Sequence, residues 1–171
     1  YGQNLPYNLE AEQSVLGSVL IDPELLTDIM NKIKSPAVFY TSQHQDIFSL
    51  MLKMFSESKP IDFVTFLDEA KRADIFDSDQ NAKTYLLHLM ELVPTTANLS
   101  HYCDIVVEKY YLRNLLSAAT DIASSVREGE GSATQLLDSA EQKIYDIRQG
   151  KQTGGLVPIQ EVLASNYEMF N

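Results

Sequence analysis

The sequence predicts an all-α fold. Apolar residues return every three or four positions, alternating strand-like runs are missing, and Gly or Pro interrupts the pattern between periodic segments. A chain of 171 residues, 44% apolar and 22% charged, has the composition of a folded globular protein. At that length roughly 70% of the unfolded surface can be buried, enough for one core and an appendage. The expected layout is a compact helical body over 1–96, a long helical hairpin over 97–149, and a linker with a short amphipathic linker helix over 150–171.

The body reads as five helices. Asn8 can cap the first, which runs to about Ile21 with Glu10 and Glu12 near its positive end and Val15, Leu16, Val19 and Leu20 as its buried stripe. Asp22-Pro23 is a cap followed by a first-position proline, opening a helix with Leu25, Leu26, Ile29, Met30 and Ile33 that Ser35-Pro36 ends. Ser42 with Gln45 reads as a capping box before Ile47, Phe48, Met51, Leu52 and Phe55. Asp62 can cap a fourth helix carrying Val64, Phe66 and Leu67. An acidic loop around Asp77–Gln80 then leads to a fifth, from about Ala82 to Val93, which Pro94 closes.

After Asn98 no Gly or Pro occurs until Gly129, predicting a helix of roughly 28 residues, about 42 Å long. Gly129 and Gly131 make a turn. Ser132 with Gln135 restarts a helix whose stripe is Leu136, Leu137, Ala140, Ile144 and Ile147, with Gly150 as its expected stop. The long limb carries two stripes: Tyr102, Ile105, Leu112, Leu116, Ala119, Ala123 and Val126, and beside it Val107, Tyr111, Leu115, Ala118 and Ile122. One returning helix cannot cover both. The body could absorb the part near Val107, but a second copy of the chain is the favoured cover, which makes Val107, Tyr111, Leu115, Ala118 and Ile122 the expected oligomer and hairpin interface. Beyond a Gly-rich linker, Ile159, Val162, Leu163, Met169 and Phe170 share one side of a helix too short to stand without a groove.

Charge and chemistry exclude several function classes. A net charge of −11, with its bases scattered, argues against a primary grip on nucleic-acid phosphates and suits partners with basic patches. The single cysteine, Cys103, fits a reducing compartment; with neither a leader pattern nor an apolar run of membrane-spanning length, the chain is expected to be cytoplasmic. The start without Met and the stop after Asn171 suggest excision from something longer. Gly150-Lys151 only superficially resembles the end of a phosphate loop: Tyr145 stands where the first glycine belongs, Gln152 replaces the magnesium-binding hydroxyl, and a helix precedes it. His44, His88 and His101 are isolated and form no zinc motif, and about 200° of helix separates His101 from Cys103. Asp68-Glu69 and Asp77 with Asp79 read as solvent-facing acids. Catalytic, cofactor and metal residues are therefore expected to be none, leaving an assembly and docking module.

Several motifs carry a resemblance. Asn4-Leu5-Pro6 leading into the Asn8–Gly17 segment, Phe39-Tyr40 with His44 and Ile47-Phe48, Pro60-Ile61-Asp62 with Val64-Thr65, and Val93-Pro94-Thr95 with Ala97-Asn98 occur in order. Tyr102, Ile105-Val106, Glu108-Lys109, Leu112-Arg113, Val157-Pro158-Ile159 and Glu161-Val162-Leu163 extend them over nearly the whole chain. This series resembles the opening of bacterial replicative DNA helicases of the DnaB type. The resemblance implies an N-terminal collar and linker helix with the ATPase, and its ATP and Mg, lying beyond Asn171. It implies pairing through hairpins into a trimer of dimers around DNA, docking of primase and of loader proteins, and packing of the linker helix on a neighbour's ATPase domain. Glu10, Tyr85, Tyr102, Leu116 and Ile122 fall at positions the family associates with primase coupling. Asn81-Ala82-Lys83-Thr84 departs from the Gly-Gly that often precedes Tyr-Leu there, so the entry turn of the fifth helix is expected to be drawn differently. The helicase-binding region of a primase, or a stand-alone helical adaptor, remain the alternatives.

Overall fold

The computed structural model describes residues 5–153. Among these, regular structure is helical throughout: α1 (Leu9–Ile21), a 3-10 turn at Pro23–Leu25, α2 (Leu26–Lys32), a second such turn at Pro36–Val38, α3 (Ser42–Ser56), α4 (Phe63–Ala73), α5 (Asp79–Glu91), α6 (Leu99–Arg127) and α7 (Ala133–Thr153). The linker-helix residues Ile159, Val162, Leu163, Met169 and Phe170 lie outside the described residues.

Short polar side chains start the helices, because the first backbone N–H groups have no partner within the helix. Asn8 Oδ1 accepts from Ala11 N at 2.9 Å, and Asp62 Oδ1 accepts from Thr65 N at 2.9 Å. The expected Ser42 capping box is not formed: the cap of α3 is Thr41, whose Oγ1 accepts from His44 N at 3.0 Å, while the Gln45 amide donates to the Phe39 carbonyl. Likewise α5 begins upstream of Ala82, because Ser78 caps it through Asn81 N and draws the acidic loop's end into the first turn.

One compact unit comprises residues 8–107. Its central helix is α1, buried on nearly every side, with α3, α4 and α5 packed around it. Gly17 permits the close approach of α5, since a Cβ there would stand 2.2 Å from the Leu89 carbonyl oxygen and 2.9 Å from Val93 Cγ2. Phe39, Phe48 and Phe66 complete the core with Leu26, Ile29 and Ile33. Val64 and Phe55, expected on apolar faces, point outward instead, 74% and 45% exposed. The division between units falls inside α6, after Val107, later than the boundary at 96 that the sequence suggests. Leu99, Cys103 and Val106 are buried in the body, and Lys32 pairs with Asp104 at 2.6 Å, so the first turns of α6 belong to it.

The second unit holds residues 5–7 and the hairpin from Glu108 onward. Gly129, at φ 63°, turns the chain: Glu130 N donates to Ser125 O and Gly129 N to Val126 O, the paired bonds that close a helix on a left-handed residue. Ser132 and Gln135 then cap α7 reciprocally, at 2.9 and 3.2 Å. Gly150 does not stop α7. The helix continues to Thr153, and its last turn is tied down by the Tyr111 hydroxyl, which donates to the Gly150 carbonyl at 3.0 Å, and by Lys151 over the Tyr111 ring. Arg113 donates to the Pro6 carbonyl at 2.9 Å and so holds the N-terminal segment on α6.

Candidate functional site

Two surfaces carry features that a docking module needs, one on the body and one on the hairpin. The body surface is built over a buried polar chain that the sequence reading did not assemble. Glu12 and His44 have side chains only 2% and 1% exposed, and Glu12 Oε1 meets His44 Nδ1 at 2.7 Å. Glu12 Oε2 accepts from Tyr40 N at 2.7 Å, fixing the approach to α3. His44 Nε2 meets the Tyr85 hydroxyl at 2.6 Å, and Gln13 donates to that hydroxyl at 3.3 Å. Donors and acceptors alternate without conflict when Nδ1 carries the imidazole proton: it donates to Glu12, and Nε2 accepts from Tyr85. Three elements, α1, α3 and α5, are thereby tied at one point.

Tyr85 is half-buried, its ring stacked near His44 at 6.0 Å between centroids. Burial raises the pKa of its phenol and the Glu12 charge adds to that, against a lowering by the Gln13 hydrogen bond. Its outer face walls a cavity of about 600 Å³ bounded by Thr41 and Gln43 on the α3 side and by Phe76, Asp77 and His88 on the other. Gln43 donates to the Ile75 carbonyl at 2.7 Å, so the loop bearing Phe76 and Asp77 is held against α3. His44 therefore does have partners, although no spacing in the sequence announces them. The signal was an acid in helical register with Val15, Leu16 and Val19, which must find a partner when buried.

On the hairpin, the two stripes of α6 have different fates. Tyr111 bonds to Gly150, Ala118 is buried at 6%, and Tyr111, Leu112 and Leu115 line a cavity with Ile144 and Ile147 of α7. Of the stripe expected at the oligomer and hairpin interface, Tyr111 meets the returning helix, Ala118 is buried, Ile122 is half-buried and Leu115 is 45% exposed. Val107 is half-buried and belongs to the body unit. Also exposed are Leu112, at the rim of that cavity, and Leu116, each at 37%, Val126 at 56%, and on α7 Leu137 at 64% and Tyr145 at 54%. Among the partner-contact candidates, Glu10 is exposed and Tyr85 and Tyr102 are half-buried in the body, whereas Leu116 and Ile122 lie in the hairpin unit. Cys103 is a packed thiol: burial pushes its pKa up to about 12, with Lys32 opposing.

Over residues 4–108 the sequence matches the family described as the DnaB-like helicase N-terminal domain. The chain belongs to this family. It is similar to the replicative DNA helicase DnaB of Geobacillus stearothermophilus, 37% identical over 163 residues that cover 95% of this chain and 36% of that protein. The crystal structure of the N-terminal domain of DnaB helicase from Mycobacterium tuberculosis superposes with a TM-score of 0.73 at 34% identity, covering 83% of this chain and 98% of that one. A second solved structure, of a DnaB-like replicative helicase and its interactions with primase, gives a TM-score of 0.65 at 25% identity over 92% of this chain and 35% of the other. The chain thus spans about a third of its full-length helicase relatives, and the part it matches is the non-catalytic DnaB N-terminal domain. No helix among the described residues is long and apolar enough to cross a membrane.

Proposed function

We propose that this DnaB-type N-terminal domain is the collar of a hexameric replicative DNA helicase, assembling subunits through its hairpin and docking primase and a helicase loader during DNA replication. The observation that carries this reading is the apolar area exposed on the hairpin: Leu112, Leu115, Leu116 and Val126 on α6, Leu137 and Tyr145 on α7. A helix exposing that many large apolar side chains gains by burying them against a like surface, and an isologous pairing is the commonest way for identical chains to do so. The primase of the related helicase structure supplies the second partner.

In this reading the body, the hairpin and the linker act as three parts with different tasks. The hairpin pairs subunits into a trimer of dimers, with Val107, Tyr111, Leu115, Ala118 and Ile122 shaping the interface from inside the hairpin and its edge. Glu10, Tyr85, Tyr102, Leu116 and Ile122 contact primase. Ile159, Val162, Leu163, Met169 and Phe170 dock the linker helix on an ATPase domain, which binds ATP and Mg in the full-length protein. The setting is cytoplasmic, and DNA passes through the complete ring without a strong grip by this acidic domain, whose net charge is −11.

The test is light scattering across concentration, alone and with the cognate primase's C-terminal region. Self-association and a stable primase complex are expected, and Tyr85→Ala or Leu116→Ala should weaken the complex while the fold stays intact. A strict monomer that ignores primase would refute the proposal.

A further inference from the structure

We infer that the groove beneath Tyr85 is a preformed socket for one apolar or aromatic side chain, presented between basic residues on a protein partner. Its walls are aromatic, with Phe76 and Tyr85 6.2 Å apart and Tyr85 and His88 also 6.2 Å apart between ring centroids. A volume of about 600 Å³ accommodates a large side chain and part of its backbone. The charge around it is negative: Asp77 lines the groove, Asp74 and Asp79 stand near it in sequence, and the chain as a whole carries a net charge of −11. A ring lying against these aromatic side chains is favoured by its buried area and by edge-to-face or offset contacts, while Lys or Arg on either side answers the local negative charge.

Rigidity is the second reason. Binding loses affinity when it must first order the site, and this groove is held on both sides before any ligand arrives. The loop side is fixed by Gln43 to the Ile75 carbonyl at 2.7 Å. The helix side is fixed by the Tyr85 hydroxyl, held by His44 at 2.6 Å, which is itself held by Glu12 at 2.7 Å. Glu12 and His44, wholly inside the body, are thus positioning residues for a surface they never reach: they set the angle at which the Tyr85 ring is offered.

The inference rests on the reading of the body as a docking surface, and it gives that surface a chemistry. Its test uses the full chain, isotope-labelled, titrated with the capped tripeptides Arg-Phe-Arg, Arg-Ala-Arg and Glu-Phe-Glu and followed by amide and ring chemical shifts. Arg-Phe-Arg should produce saturable shifts centred on Phe76, Tyr85 and His88, and each control should bind at least about tenfold more weakly. Thr84→Trp, which fills the groove from an exposed position, should abolish the shifts without lowering the melting temperature. Tyr85→Phe should weaken binding several-fold and broaden the ring signals of the substituted side chain, a mobility that a purely stabilising hydroxyl would not control. Equal binding of Arg-Ala-Arg, no saturation, or shifts unaffected by Thr84→Trp would each overturn the socket. The primase region is titrated in parallel. Should it bind wild type and Thr84→Trp alike, the socket is not its contact while primase docking stands; should it bind neither, primase docking falls and the peptide series still decides the socket.

Discussion

Replacing Glu12 with Ala removes one carboxylate that serves two groups. The Tyr40 N–H and His44 Nδ1 each lose a partner at 2.7 Å, in a place where the Glu12 side chain is 2% exposed and water has no ready access. Stranding a buried donor costs about 1–3 kcal/mol, and Glu12 accepts from two, the Tyr40 backbone N–H and the neutral His44 imidazole N–H. The expected loss is therefore about 2–6 kcal/mol. For a body of about a hundred residues each kcal/mol moves the melting temperature by about 4–8 °C, so Glu12→Ala should melt at least about 8 °C lower by circular dichroism at 222 nm. Two variants calibrate the result. Glu12→Gln keeps an acceptor for Tyr40 and should cost clearly less, and Glu10→Ala, two residues away on the exposed side of α1, should cost under about 0.5 kcal/mol. With His44→Ala added, the double variant should lose less than the sum of the singles, because the second removal strands nothing new. A Glu12→Ala protein melting within about 2 °C of wild type would show that the buried chain contributes no net stability.

Three further outcomes follow from single geometries. Gly17→Ala should destabilise by about 3 kcal/mol in calorimetry despite alanine's better helix propensity, since its Cβ would stand 2.2 Å from the Leu89 carbonyl oxygen and force α1 and α5 apart. Leu116→Glu with Val126→Glu should shift self-associated chain to monomer in light scattering at unchanged helicity, because the two side chains are already 37% and 56% exposed. Cys103 should resist iodoacetamide at pH 8 in the folded protein and react in urea, as read by mass spectrometry: with a thiol pKa of about 12 almost no thiolate exists there, and unfolding restores the ordinary value.

The sequence made the helices legible wherever local chemistry decided them. Asn8, Asp22 and Asp62 cap through their own side chains, and Ser132 with Gln135 forms the reciprocal box its spacing predicts. At α3 two hydroxyls stand side by side, and Thr41 rather than Ser42 becomes the cap because Gln45 is drawn to the Phe39 carbonyl, a choice no spacing rule contains. The body site lay further out of reach. Glu12 and His44 are 32 residues apart, and only the packing of α1 against α3 makes them partners. Even so, an acid that cannot avoid the interior of an apolar helix, and a histidine in register with Ile47, Phe48 and Met51, were two halves of one signal.

The hairpin shows where periodicity stops being informative. Its two stripes on α6 lie roughly 100° apart around the helix, equally apolar and equally regular, so either could have met α7. What selects Tyr111 and Ala118 is the turn: Gly129 in the left-handed region, closed by Glu130 to Ser125 and Gly129 to Val126, sets the direction in which the chain leaves α6. Gly150 then stands beneath the Tyr111 hydroxyl, and Leu116 is left exposed. A surplus of apolar surface could thus be counted from the sequence, whereas which side chains form it depends on the turn at Gly129 together with the packing of α7 that follows it.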